Sequence, residues 1–167
     1  MPALLRSASL TGYAELAREA RLNPTALLSE VGLPLSALRE PDLKISAEAV
    51  RALLELSAQR SGVEAFGLRL AESRRLSNLG AIGLLLREAP TLRRALEEFP
   101  RFVHLHNTAL FLKVEEAGGV VVIRQELAVG RAVSMRQSTE LAIGVMTLRR
   151  NSARSAPRHK SHSGATM

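Results

Sequence analysis

The sequence predicts an α+β fold that is mainly helical, and three observations carry that prediction. Apolar residues recur at helical spacing through the first two-thirds of the chain, and after Asn107 the period drops to two. The interior must also be built from small aliphatic side chains, because aromatics make up 3% of the 167 residues while 46% are apolar. A core of Leu, Ala, Val and Ile suits helix packing, and a chain of this length holds one domain.

Read from Leu10 onwards, Tyr13, Leu16, Ala17 and Ala20 follow the i, i+3, i+4, i+7 rule and predict a helix that ends near Leu22. Asn23 is a cap and Pro24 a first-turn residue, so "TALLSEV" is a second short helix stopped by Gly32. "LPLSALRE" gives one more helical turn, which "EPDLKIS" breaks. Ser46 caps "AEAVRALLELSAQR", whose end is marked by Ser61-Gly62. "VEAFGLRLAESR" is a further helix, interrupted by Gly67. "SNLGAIGLLLREAP" reads as a buried helix in which Gly80 and Gly83 let a neighbour come close. Thr91 caps the stripe Leu92, Ala95, Leu96, Phe99, and Pro100 should end or kink that helix.

Leu110, Leu112 and Val114 then alternate with Phe111, Lys113 and Glu115, "EAGG" turns, and "VVVIRQEL" returns, which makes a hairpin. A hairpin alone is marginal in water and must pair, lie on helices or join a partner chain. A further helix follows in "STELAIGVMTLRR", with Leu141, Val145 and Leu148 on one face. The expected organisation is a domain over residues 1–150 and a disordered basic tail over residues 151–167, where Ser, Arg, His, Pro and Gly take over.

The formal charge is +7, from 23 basic and 16 acidic residues. Arg154, Arg158 and Lys160 of the acid-free tail supply +3 of it. Elsewhere Arg and Glu are interspersed, as in "LREAPTLRRALEEF", the pattern of a solvated helix face and not of a nucleic-acid stripe. There is no cysteine, which excludes disulfides and thiolate chemistry. No apolar run reaches the ~20 residues of a membrane span and no signal peptide precedes the first helix, so the expected location is the cytoplasm.

"ELAREARLNPTALLSEVGLP", residues 15–34, has the outline of a helix-turn-helix, but its second helix offers Leu27, Leu28 and Glu30 where a major groove needs exposed donors. Arg21 occupies the turn position where such motifs place glycine. The expectation is a packing unit without DNA contacts. Asp42, the single aspartate, reads as a turn or capping residue. The Glu97-Glu98 and Glu115-Glu116 pairs point in different directions and form no acid/base dyad. In "FVHLHN", His104 and His106 would share an ion only in an extended chain, and two ligands without a third are a polar junction sooner than a metal site. His159 and His162 lie in the tail. No catalytic, cofactor, metal or DNA-contacting residue is therefore assigned, and no enzyme is expected. Tyr13, the one tyrosine, lies on a core stripe.

Read in order, "LTGYAELAREARLNPTALLSEVGLPLSALREPDLKIS", "LLELSAQRSGVEAFGLRLAE", "LSNLGAIGLLLREAPTLRRALEEF" and "HNTALFLKVEE" resemble the N-terminal, arabinose-binding-type domain of AraC-type bacterial transcription regulators, over about residues 8–150. The resemblance implies effector sensing or dimerisation, with DNA bound by a separate C-terminal domain. It carries no sugar preference, and the effector residues stay unassigned. Arg21 stands where relatives commonly have glycine, and Pro100 sits in a helix that they continue. Relatives run on past the point matching Arg150, so the resemblance implies a regulatory domain truncated before its DNA reader and incomplete at its C-terminal end. The expected partners are a small-molecule effector and a second copy or a related regulator in a mixed dimer. An interaction module acting through such mixed dimers, or a non-functional truncation product, is the alternative. An unpaired apolar strand in the hairpin would invite edge-to-edge association.

Overall fold

A computed structural model of the chain describes residues 2–127. The elements run β1 (Leu4–Arg6), α1 (Tyr13–Glu19), α2 (Pro24–Glu30), β2 (Lys44–Ser46), α3 (Ala47–Ser61), α4 (Phe66–Glu72), α5 (Ala81–Glu88), α6 (Leu92–Phe102), β3 (Leu110–Ala117) and β4 (Val120–Leu127), with short 3-10 turns between them. The fold is α+β and mainly helical. The expected helix over 138–150 and the tail over 151–167 lie outside the described residues.

Local chemistry explains most boundaries. The Asn23 side chain accepts from the backbone N–H groups of Thr25 and Ala26, Ser46 accepts from Ala49 at 3.2 Å and Thr91 from Arg94 at 3.1 Å, so all three predicted caps are in place. The ends of α1 and α2 are built alike. Leu22 N–H donates to the Ala17 carbonyl and Arg21 N–H to Arg18, just as Leu33 donates to Leu28 and Gly32 to Ser29. This is the Schellman arrangement, and it puts the residue after each helix in the left-handed region, at φ 73° for Gly32 and φ 60° for Arg21. Arg21 is the one non-glycine with positive φ among the described residues.

Five expectations need correction. The first helix starts at Tyr13 and ends at Glu19, because residues 7–10 form a 3-10 turn and Gly12 at φ 81° restarts the chain. "EPDLKIS" is not only a break: its last three residues form β2, which pairs antiparallel with β1 as Leu4–Ser46, Leu5–Ile45 and Arg6–Lys44. The stretch from Ser77 to Pro90 is not one buried helix, since Gly80 at φ 62°, ψ −131° splits a 3-10 turn from α5, and Leu84 and Leu85 are 56% and 38% exposed. Pro100, expected to end or kink α6, does not end it, since the helix continues two residues further to Phe102. Leu92, placed on the core stripe, is 47% exposed.

Two hydrophobic clusters result. The larger joins α1–α4 and the β1–β2 ribbon around Leu5, Tyr13, Leu28, Leu53, Phe66 and Leu70. Tyr13 meets Phe66 edge to face at 6.1 Å, and its hydroxyl bonds Ser57 Oγ at 2.9 Å, which satisfies two polar groups inside the core. Burial pushes the Tyr13 phenol up, against the pull of the Ser57 bond. The smaller cluster, Ile82, Leu86, Ala95, Phe99 and Val103, sits between α5 and α6, with Leu110 and Leu112 of β3 packed on it.

The hairpin is the predicted one. Gly118 and Gly119, at φ 59° and 78°, form a two-residue turn, and eight residue pairs from Ala117–Val120 down to Leu110–Leu127 face each other. Leu110, Leu112 and Val114 turn towards α6, while Phe111 turns away and is 61% exposed.

Candidate functional site

Among the described residues, two clefts and one polar joint stand out as features able to bind or couple. The first cleft, about 700 Å³, opens between α6 and the inner face of the hairpin. Its floor is apolar: Leu92, Leu96 and Pro100 on one side, Leu112, Val114 and Val121 on the other. One ion pair ties its walls together. Arg93 in the first turn of α6 grips Glu116 with both Nη groups, Nη2 at 3.0 Å from Oε1. That contact pulls the Glu116 carboxyl down and pushes the Arg93 guanidinium up. Arg94 pairs with Glu98 at 2.8 Å along the helix, so the mouth of the cleft is charged and its floor is not. This size and this contrast suit a small organic ligand.

The second cleft, about 1020 Å³, lies among α1, α4 and the 3-10 turn Leu35–Leu38. It is lined by five charged side chains, Glu15, Glu19, Glu72, Arg39 and Arg69, beside the apolar Leu16, Ala37, Leu38 and Pro41. Charged side chains line both clefts, but the apolar share of the lining is larger in the smaller one, which makes it the better candidate for capture of an apolar ligand.

The joint connects the two hydrophobic clusters. Arg6 N–H donates to the His106 carbonyl at 2.9 Å, Thr108 N–H to the Leu4 carbonyl at 2.8 Å, and Lys44 Nζ to the Leu105 carbonyl at 2.7 Å. The Arg6 guanidinium holds Asp42 with Nε at 3.0 Å and the Asn78 carbonyl with Nη1 at 3.1 Å. It lies flat against Gly80, where a Cβ would stand 2.6 Å from Nη1. Gly80 thus permits the close approach its sequence suggested, by a guanidinium from β1 and not by a helix.

The two histidines of "FVHLHN" part company in this joint. His104 is exposed on a 3-10 turn, whereas the His106 ring is part-buried, with Nδ1 enclosed and without a hydrogen-bond partner. Burial first, then the nearby charges of Arg6, Arg74 and Lys44, lower the His106 pKa to about 4. Among the described residues no three His, Asp or Glu side chains gather closely enough to hold a metal ion. Asp42 is in a turn, as its neighbours suggested, and it also accepts from Arg6, a contact across 36 residues that no local pattern announces. His159 and His162 lie outside the described residues.

In the opening helix pair, Leu27 and Leu28 of α2 are 2% and 0% exposed and pack inside the larger cluster, while Thr25, Ala26, Ser29 and Glu30 are exposed. Glu30 pairs with Arg60 of α3 at 2.7 Å. No helix among the described residues is long and apolar enough to cross a membrane.

A helical body with a hairpin and an apolar cleft fits a binding domain of a regulator, and the comparison with known families gives the class. The family described as the arabinose-binding domain of AraC transcription regulator, N-terminal, matches residues 22–158, and the chain belongs to that family. Among relatives, it is similar to the HTH-type transcriptional regulator VirS of Mycobacterium tuberculosis, in strains CDC 1551 / Oshkosh and ATCC 25618 / H37Rv, at 34% identity over 111 residues. The match takes in 66% of this chain and 33% of each relative, so the chain spans about a third of the length of the curated relatives it matches.

Proposed function

We propose that this domain is the non-enzymatic sensing and dimerisation unit of an AraC-type transcription regulator acting in the cytoplasm. It takes a small, mostly apolar organic effector between α6 and the hairpin. The observation that carries this reading is the cleft of about 700 Å³, floored by Leu92, Leu96, Leu112 and Val114 and strapped by Arg93–Glu116. Nothing in its lining singles out a sugar: no aromatic side chain lines it, and Tyr13 is wholly buried in the other cluster. The regulatory domain takes in residues 1–150, and residues 151–167 add charge.

The reading predicts that Leu112→Arg abolishes saturable binding of small apolar probes such as 8-anilinonaphthalene-1-sulfonate at this cleft, while Leu35→Arg, far from it and exposed, leaves binding intact. Equal binding by both variants overturns the cleft as the site. DNA recognition by α1 and α2 is not part of the reading, because Leu27 and Leu28 are buried. A footprint on a defined operator at physiological salt that vanishes with Thr25→Ala would reverse that. A second reading, an interaction module that forms mixed dimers with related regulators, is favoured by the three exposed valines of β4, Val120, Val121 and Val122.

A further inference from the structure

Among the described residues, the hairpin leaves one edge of β4 unpaired, and that edge carries a built-in address. Among the described residues β3 and β4 pair only with each other. With a two-residue turn at Gly118-Gly119, Ala117 and Val120 are the first hydrogen-bonded pair, and alternation along the ladder leaves the N–H and C=O groups of Val121, Ile123, Gln125 and Leu127 pointing away from β3. β4 has no proline and no lysine to guard that edge, and Val120, Val121 and Val122 are 61%, 45% and 43% exposed.

The charges on β4 select what can pair there. Arg124 and Glu126 lie on the same face, both exposed, on either side of Gln125. Arg124 donates from Nε to Glu115 at 2.6 Å, and Lys113 holds the other Glu115 oxygen at 2.7 Å. An antiparallel strand laid along β4 with a two-fold axis at Gln125 sets Arg124 opposite the partner's Glu126, and Glu126 opposite the partner's Arg124. The same register brings the outward backbone groups of Ile123, Gln125 and Leu127 into hydrogen-bonded pairs. Opposite charges directly across a ladder stabilise it, and like charges oppose it.

We propose that β4 is an isologous dimerisation edge, on which a second copy of this chain pairs antiparallel about Gln125 to form one four-stranded sheet. Because the two-fold uses the same edge twice, the assembly closes at two copies and does not grow into a fibre. The proposal rests on the dimerisation half of the proposed function and gives it a surface. Both clefts then lie on the same side of the joined sheet, and Val121, which lines the cleft, belongs to the pairing strand.

Charge reversal tests the register. Glu126→Arg leaves a copy with two cations around Gln125, and Arg124→Glu leaves one with two anions, so each variant alone should dimerise at least tenfold more weakly in sedimentation than the unaltered chain. An equimolar mixture of the two should recover the dimer as a heterodimer, because both ion pairs reform. Since the chain has no cysteine, Gln125→Cys supplies a second readout. Its Cα atoms would face each other at about 5.5 Å across the axis, within reach of a disulfide. Oxidation should give a covalent dimer from Gln125→Cys and none from Val120→Cys; if a charge variant fails to fold by circular dichroism, this cross-link decides. An unaltered chain that dimerises while both charge variants match it and Gln125→Cys stays uncross-linked overturns the β4 edge and leaves dimerisation standing. An unaltered chain that is a monomer at every concentration overturns the edge and the dimerisation half together, and leaves effector capture to the probe titration.

Discussion

The two clusters of the described chain differ in how completely they close. The body formed by α1–α4 and the β1–β2 ribbon gathers seventeen buried hydrophobic residues, while the α5, α6 and hairpin unit gathers five. Exposure runs the other way. Eight of the ten large exposed hydrophobics, from Leu84 to Val122, belong to the second unit, and only Leu35 and Leu68 to the first. Helices capped by their own side chains and closed by two Schellman turns have used their apolar surface on themselves. Among the described residues, the second unit keeps the more apolar of the two clefts, an unpaired strand edge and three exposed valines. The difference teaches where regulation can act: a closed core gives a rigid frame, and surface that is only half covered responds to a ligand or to a second chain.

The widest gap is expected from truncating one leucine on each side of that divide. Leu53 is wholly buried in the body, so Leu53→Ala should cost about 2–5 kcal/mol of unfolding free energy in urea titration. Leu92 is 47% exposed on α6, and Leu92→Ala should cost under about 1 kcal/mol. Equal losses would mean that the second unit is as closed as the first.

Acid should separate the units at their joint. The His106 pKa is lowered from 6.5 to about 4 in the folded chain, so folding favours the neutral ring. Its contribution is complete above pH 6.5 and is lost as the pH falls towards about 4. The span between those two values is worth about 3 kcal/mol at most. A plot of stability against pH should therefore bend downwards below 6.5, and His106→Gln should flatten the part of that slope which other carboxylates do not supply. Arg6, Arg74 and Lys44 are the cations facing the ring. An unchanged slope in His106→Gln would remove the histidine from the joint's energetics.

Gly80 sharpens the same boundary. At φ 62°, ψ −131° and with Arg6 against its Cα, it occupies a conformation that side chains rarely adopt. Gly80→Ala should cost about 1–3 kcal/mol. The loss should appear first as faster amide exchange in α5 and β3, with α3 unchanged. A uniform rise in exchange would mean that the joint does not separate two units.

What could be read from the sequence follows the range of the interaction. Asn23, Ser46 and Thr91 cap their helices through bonds to residues two or three positions on, and the hairpin shows itself through alternation around Gly118-Gly119, so all of these were legible. The β1–β2 ribbon was not, because three residues are too few to display a period of two, and its partners lie about forty positions apart. The cleft was legible only as apolar strands beside helices. Its lining was hidden because Leu92 and Leu96 share one helical stripe, and periodicity cannot tell the buried member from the half-exposed one. The joint was hidden as well: Arg6, Asp42 and His106 meet across long loops, and neither charge nor spacing marks them.

The smallest expected effect lies inside the well-closed body, at the one place where it carries strain. α1 and α2 end in the same hydrogen-bonded motif, but α2 closes on Gly32 and α1 on Arg21, at φ 60°. A side chain in the left-handed region costs roughly 1–2 kcal/mol, and glycine escapes that cost but loses more conformational freedom on folding. Arg21 is exposed, so little packing is lost on its removal. The balance favours the glycine by about 0.5–1 kcal/mol. Arg21→Gly should raise the urea midpoint slightly without changing the steepness of the transition, whereas Gly32→Arg, which imposes the same strain on α2, should lower it by a similar amount. If Arg21→Gly instead destabilises the chain, the arginine side chain contributes more than its exposed position suggests, and the body is less self-contained than its buried residues indicate.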